Sequence, residues 1–238
     1  MKKVIVVGAS SGMGQELARA FVKQGDVVGI TARRRELLEV LKSENPESYM
    51  VSVFDVTACQ VAIEQLRELT IELGGLDVLV VCSGTGDINP DLDVDIEMKT
   101  ISTNVVGFTN VVDWGFNYFA RQQSGQLVAI TSIGGLRGSR QAPSYNASKA
   151  YQMNYLEGLR VKSKQLKAGV VVTDIRPGLV DTDMAKGDGL FWVEPVQKVS
   201  SQIMKAIEGK KAVVYVTGRW GIVARLLKLM PRFLYDKI

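Results

Sequence analysis

The 238-residue sequence contains no histidine. That absence excludes Ser-His-Asp hydrolysis, histidine-ligated zinc and histidine general bases together. Any catalysis must come from Tyr, Lys, Ser, Asp, Glu or Cys, or from a bound cofactor, and no metal is expected. Cysteine is scarce: Cys59 and Cys82 are the full complement, each in or beside an apolar element, which predicts free thiols in a reducing compartment. Long hydrophobic runs are missing too, since none approaches the ~18 residues of a membrane span. The apolar part of the opening MKKVIVVG is too short for a signal peptide, and a cytoplasmic protein is expected. Charge of one sign is also lacking, with 29 basic against 25 acidic residues and a net +4. Much of the excess lies at the C-terminus, where Arg219, Arg225, Lys228, Arg232 and Lys237 face Asp236 alone. No basic stripe interleaved with aromatics crosses the main body, so no nucleic-acid partner is expected.

What is present is an ordinary globular balance of 46% hydrophobic and 23% charged residues, at a length that suits a single domain over 1–238. Short apolar, β-branched runs predict strands at Lys3–Val7, Val27–Thr31, Met50–Phe54, Leu76–Val81, Gln126–Thr131, Val170–Ile175 and Ala212–Val216. Between them, helical spacing covers Gln15–Lys23, Arg34–Lys42, Val61–Leu73, Ile96–Ala120, Ser144–Lys164 and Glu194–Ile207. Gly25, Gly74-Gly75, Gly125 and Gly169 are expected to stop four of these helices. Nearly all-apolar strands alternating with helices predict an α/β fold: a doubly wound, Rossmann-type parallel sheet of about seven strands, helices on both faces. No repeat or linker interrupts it.

Ligands of such sheets bind beyond the carboxyl ends of the strands. The first strand runs into Gly8-Ala9-Ser10-Ser11-Gly12-Met13-Gly14. Glycines there allow a tight turn and close backbone approach to a pyrophosphate, at the positive end of the following helix. Alone, the pattern is equally a ligand-free βα turn; its place at the first strand–helix junction favours the dinucleotide. The second strand ends in Thr31-Ala32-Arg33-Arg34-Arg35, where an NAD-binding domain usually carries an acidic residue. Arginine grips a 2′-phosphate that a carboxylate would repel, so NADP(H) is expected with Arg33 as its main contact, while Arg35 reads as a solvated helix start.

Tyr145 and Lys149 stand four apart in Tyr145-Asn146-Ala147-Ser148-Lys149, on one face of a helix. A nearby ammonium is expected to lower the phenol's pKa and make it a proton donor and acceptor. Many helices contain such a pair by chance. Ser132, just past a strand, could polarise a carbonyl, although alone it reads as a turn residue.

Taken together these motifs resemble the short-chain dehydrogenase/reductase family, in its short single-domain branch, from Gly8 to about Thr182. The family's glycine loop matches Gly8, Gly12 and Gly14, and its adenine-contacting Asp matches Asp55, followed by Val56. Its active-site Asn matches Asn104, its Ser–Tyr–Lys set matches Ser132, Tyr145 and Lys149, and its Pro-Gly segment matches Pro177, Gly178, Val180 and Thr182. Two departures stand out: Val7 replaces a threonine, and Val81-Cys82-Ser83-Gly84 keeps only the glycine of Asn-Asn-Ala-Gly. Both positions are mainly scaffold in the family, so binding around Cys82, Ser83 and Gly84 is expected to survive, with Cys82 a small spacer. The resemblance implies hydride transfer between NADP(H) and a carbonyl or secondary alcohol, with Tyr145 as general acid/base and Ser132 holding the oxygen. Lys149 would bind the nicotinamide ribose, and Asn104 would hold a water linking Lys149 to solvent. It further implies a homodimer or homotetramer and a substrate lid at Asp183–Val193. In that lid Gly187 and Gly189 are candidate hinges, and Leu190-Phe191-Trp192-Val193 an apolar cover that suggests an apolar substrate or packs only on the protein.

After the last strand, residues 218–238 form an amphipathic extension whose apolar face gathers Ile222, Val223, Leu226, Leu227 and Met230, with Arg225 and Lys228 off it. It is expected to pack on the domain or a partner subunit, or to rest weakly on an anionic membrane surface. Two rival functions remain at this point: a non-catalytic NADP(H)-binding sensor, and an epimerase or dehydratase of the family's extended branch. The first has no need of a proton donor. The second usually adds a C-terminal substrate domain for which the chain has little room.

Overall fold

Burial alternates along the first strand: Val4 and Val6 face one core, Ile5 and Val7 the other. A strand apolar on both faces must be covered on both faces, and helices do so. The computed structural model describes residues 1–182, 184–185 and 192–236. Within these, seven parallel strands take the order β3-β2-β1-β4-β5-β6-β7. They are β1 (Lys3–Val7), β2 (Val27–Ala32), β3 (Tyr49–Val53), β4 (Val78–Val81), β5 (Gly125–Ile130), β6 (Val170–Pro177) and β7 (Val213–Val216). One face is covered by α3 (Cys59–Glu72), α5 (Phe108–Gln122) and α6 (Pro143–Leu166), packing Leu66, Phe108, Val111 and Leu156 onto the sheet. The other is covered by α1 (Gly12–Lys23), α2 (Arg35–Glu44) and α7 (Val196–Glu208) through Leu17, Phe21, Leu38 and Ile203. Each such fully buried side chain contributes roughly 1.5–3 kcal/mol relative to exposure.

The chain order reverses between β1 and β4, and the crevice opens there. Gly8 and Cys82 begin the two loops at its mouth; Gly8 N–H donates to the Thr31 carbonyl and Cys82 N–H to the Val7 carbonyl, both at 2.8 Å.

Three local expectations need correction. The helix expected at Ile96–Ala120 is α4 (Val94–Ile101) and α5 joined by a π-helical segment, Ser102–Gly107, that carries Asn104. Gly25 and Gly74 do follow their helices with φ of 83° and 70°, but α5 and α6 end instead on left-handed Gln123 and Lys167. Gly125 and Gly169 come two residues later, where a side chain would strike the Phe119 ring and the Gln123 carbonyl. Finally, the C-terminal extension is two helices, α8 (Gly218–Leu229) and α9 (Arg232–Tyr235), parted at Pro231. No helix among the described residues is long and apolar enough to cross a membrane.

Candidate active site

Two cavities share the walls Met13, Thr182 and Met184. The first, about 240 Å³, follows the ends of β1 to β4. It is lined by the loop residues Gly8, Ser10, Ser11, Gly12 and Gly14, by Arg33, Arg34, Asp55 and Val56, and by Cys82, Ser83 and Gly84. Close approach requires glycine at 14, where a Cβ would lie 2.9 Å from the Gly8 carbonyl carbon. Ser11 caps α1 without a side-chain hydrogen bond, leaving the N–H groups of the first turn to the cavity. The Ser83 hydroxyl is buried with no hydrogen-bond partner among the described residues. Arg34, which sequence reading passed over, donates to the Ser10 and Ser11 hydroxyls at 2.8 and 2.9 Å. Arg33 lies more exposed and meets Asp55 at 3.4 Å. Burial works to raise the Asp55 carboxyl, but hydrogen bonds from Thr57 and the Arg33 charge outweigh it and hold the group below its ordinary range. Unclaimed helix N–H groups, an orphaned hydroxyl and two guanidinium groups at one rim are the donor set a phosphorylated dinucleotide needs.

The second cavity is larger and mostly apolar, about 480 Å³. Gly86, Asp87 and Ile88 line it after β4, Thr131 to Gly134 after β5, and Pro177, Gly178, Leu179 and Val180 after β6. Tyr145 lies in its wall beside Ser132, its ring packed against Gly86 on one edge and facing Gly134 on the other. Thus Pro177, Gly178, Val180 and Tyr145 face the second cavity rather than the first, with Thr182 in both. Trp220, Val223 and Leu227 of α8 complete it, which the extension's simple amphipathic pattern did not reveal.

Lys149 is buried behind the site. Its Nζ donates to the Ile130 carbonyl at 3.1 Å and to Gln152 Oε1 at 3.0 Å, and a Cβ on Gly84 would sit 3.6 Å from it. Burial lowers its pKa to about 8, with Cys82 and buried Asp174 pulling the other way. The expected effect on Tyr145 needs correction. The phenol is raised above its ordinary value, because burial outweighs the Ser132 hydrogen bond. The ammonium stands 5.8 Å from the ring centroid, and its hydrogen bonds go elsewhere. Cys82 is likewise pushed up by burial, to about 12, as befits a spacer rather than a nucleophile; both cysteines are free.

Asn104 is held by residues from three segments. Its side chain joins Thr85 at both the N–H and the carbonyl and donates to Ser148 Oγ at 3.0 Å. Its backbone carbonyl accepts from Gln152 Nε2 at 2.8 Å. Gln152 therefore bridges Lys149 and Asn104. Sequence offered only the faint sign that Gln152 lies one turn beyond Lys149.

Of the lid, Asp183 and residues 186–191 lie outside the described residues, including Gly187, Gly189, Leu190 and Phe191. Trp192 is half exposed and packs edge-on against Trp220, ring centroids 6.2 Å apart.

Comparison with known proteins agrees with this fold. Residues 2–189 match the family described as short chain dehydrogenase. An uncharacterized oxidoreductase of Myxococcus xanthus is 30% identical over 99% of this chain and 95% of its own length. Another from Mycobacterium tuberculosis is 30% identical over 97% and 94%. Among solved structures, a short chain dehydrogenase from Burkholderia cenocepacia in complex with NADP superposes with a TM-score of 0.84 at 22% identity, covering 99% of this chain and 96% of that one. One from Streptomyces avermitilis gives 0.82 at 23%, covering 100% and 94%. The match across residues 2–189 and the full-length relatives place the chain in the short-chain dehydrogenase family, among the oxidoreductases.

Proposed function

We propose that this protein interconverts an apolar carbonyl compound and its alcohol, using NADP(H), with Tyr145 as the proton donor and acceptor. The observation that carries the reading is the position of Tyr145 and Ser132. They stand in the wall of the second, apolar cavity, which borders the first, lined by the N-terminus of α1 and by Arg33 and Arg34. When bound, NADP(H) supplies or accepts the hydride. Ser11, Ser83, Arg33 and Arg34 would hold its phosphates, and Asp55 its adenine. In the reductive direction the Ser132 hydroxyl holds the substrate oxygen while Tyr145 gives it a proton. A raised phenol pKa suits that direction, since the group remains a protonated donor at neutral pH. With a pKa of about 8, Lys149 is a cation in about nine molecules of ten at pH 7. It would bind the nicotinamide ribose of the bound cofactor and add positive charge behind the site. Asn104 and Gln152 hold it in place rather than carry protons, because an amide oxygen accepts a hydrogen bond without passing a proton on.

A homodimer or homotetramer built on α5 and α6 belongs to the same proposal; Val161 and Leu166 of α6 remain exposed on the isolated chain. The cofactor reading is tested by measuring NADPH and NADH binding to the purified protein and to the Arg33→Ala/Arg34→Ala variant. Preferential NADPH binding that weakens about tenfold to a hundredfold in the variant, with NADH binding unchanged, is expected for the loss of charge-assisted hydrogen bonds. Equal binding of both cofactors by the parent protein would refute NADP(H) preference. Tight NADPH binding without turnover on a carbonyl panel would instead favour the sensor.

A further inference from the structure

The helix α8 has two apolar faces, not one. Trp220, Val223 and Leu227 line the second cavity, whereas Ile222, Leu226 and Leu229 are 61%, 60% and 81% exposed. At 3.6 residues per turn the outward three fall within about 60° of arc. Phe233 and Leu234 of α9 are exposed as well. Cations flank the outward face. Arg225 and Lys228 are exposed and have no ion pair among the described residues, while Arg219 pairs with Glu194 at 3.8 Å and Arg232 with Asp236 at 3.6 Å. The element is firmly seated. Arg137 donates to the Leu227 and Met230 carbonyls at 3.2 and 2.8 Å and lies over the Tyr235 ring, so the outer face is presented on a fixed helix.

We propose that the outer face of α8 and α9 docks on an anionic lipid bilayer. Its apolar side chains would enter the headgroup boundary while Arg225 and Lys228 meet lipid phosphates. Charge favours lipid over a second copy of the chain. An antiparallel two-fold pairing of this face would bring Arg225 and Lys228 of one copy along the same edge as those of the other. An anionic surface complements them. The inner face of the same helix walls the apolar cavity, so a docked molecule holds that cavity beside the bilayer. A lipid-soluble carbonyl compound could then pass in without crossing water, a consequence that rests on the proposed function, whereas the docking does not.

The test is sedimentation of the full-length protein, at low salt, with vesicles of phosphatidylcholine alone or of phosphatidylcholine and phosphatidylglycerol. Binding to the phosphatidylglycerol vesicles alone is expected. It should fall about tenfold or more in Arg225→Glu/Lys228→Glu and be lost in Leu226→Glu/Leu229→Glu. Because all four side chains are exposed, circular dichroism and NADPH binding should match the parent, which separates loss of docking from loss of fold or of the cofactor site. No binding by the parent protein, or binding unaltered in both variants, would overturn the proposal. So would a dimer in sedimentation velocity that dissociates in Leu226→Glu/Leu229→Glu, since the face would then belong to a second copy.

Discussion

Gly86 gives the sharpest handle on the placement of Tyr145. Its backbone is outside the left-handed region, so alanine is accepted there without local strain, yet the added Cβ would lie 2.8 Å from Tyr145 Cε2 and closer still to Cδ2. Ordinary contact begins at 3.4 Å, so the ring must retreat by about 0.6 Å at Cε2 and further at Cδ2. Gly134, whose own Cβ would sit 3.5 Å from Cε1, stands close to the opposite edge of the ring, and the hydroxyl is displaced with it. A misplacement approaching 1 Å costs about a hundredfold in rate, or about 2.7 kcal/mol of transition-state stabilisation. Gly86→Ala should therefore lower kcat about a hundredfold while leaving NADPH affinity unchanged, because Gly86 lines the second cavity and not the first. Gly138→Ala, which meets nothing within 4 Å, is the matched control. Turnover with a soluble aromatic aldehyde, NADPH titration and thermal melting together read the outcome. Full kcat in a Gly86→Ala protein of normal Tm would refute the argument that Tyr145 acts from this position.

Two further outcomes follow from the buried lysine. Its folded pKa is depressed from 10.5 to about 8, so the unfolded chain binds the extra proton between those values. The cost to folding is fully present below pH 8 and is relieved as pH rises toward 10.5, a change of about 3 kcal/mol. Urea unfolding should show the parent gaining that much on Lys149→Met between pH 7 and pH 10.5; a pH-independent difference would contradict the burial argument. Gln152 should act through Lys149 as a positioning residue. Gln152→Leu removes an acceptor from the ammonium and should move the alkaline limb of the kcat profile to lower pH, while Gln152→Glu should move it to higher pH. A change in Tm with both limbs unmoved would leave Gln152 a purely structural role.

The sheet was legible because β1 to β7 are apolar runs punctuated by helical spacing, and a strand buried on both faces has few other ways to read. The residues around Gly8, Arg33 and Ser132 were legible for a different reason: each lies where a parallel strand ends, which is where such sheets bind ligands, whereas Tyr145 was marked by its four-residue spacing to Lys149 on one helix. What escaped depends on neighbours distant in sequence. Hydrophobic spacing cannot tell Val223, turned to a cavity, from Ile222, turned to solvent, since both satisfy one apolar pattern. The π-helical segment at Asn104 preserves side-chain types and shifts only the hydrogen-bond register, so no composition marks it. Gln152 becomes meaningful only when α6 lies against the π segment, and Arg34 only when the loop bearing Ser10 and Ser11 folds back toward β2.

The most direct test of the central claim is single-turnover hydride transfer from NADPH to an apolar carbonyl compound by the parent protein and Tyr145→Phe. A rate lowered by about a hundredfold to ten-thousandfold, with NADPH affinity unchanged, is the result expected if Tyr145 supplies the proton. An unaltered rate in Tyr145→Phe would contradict it and assign the proton to another group.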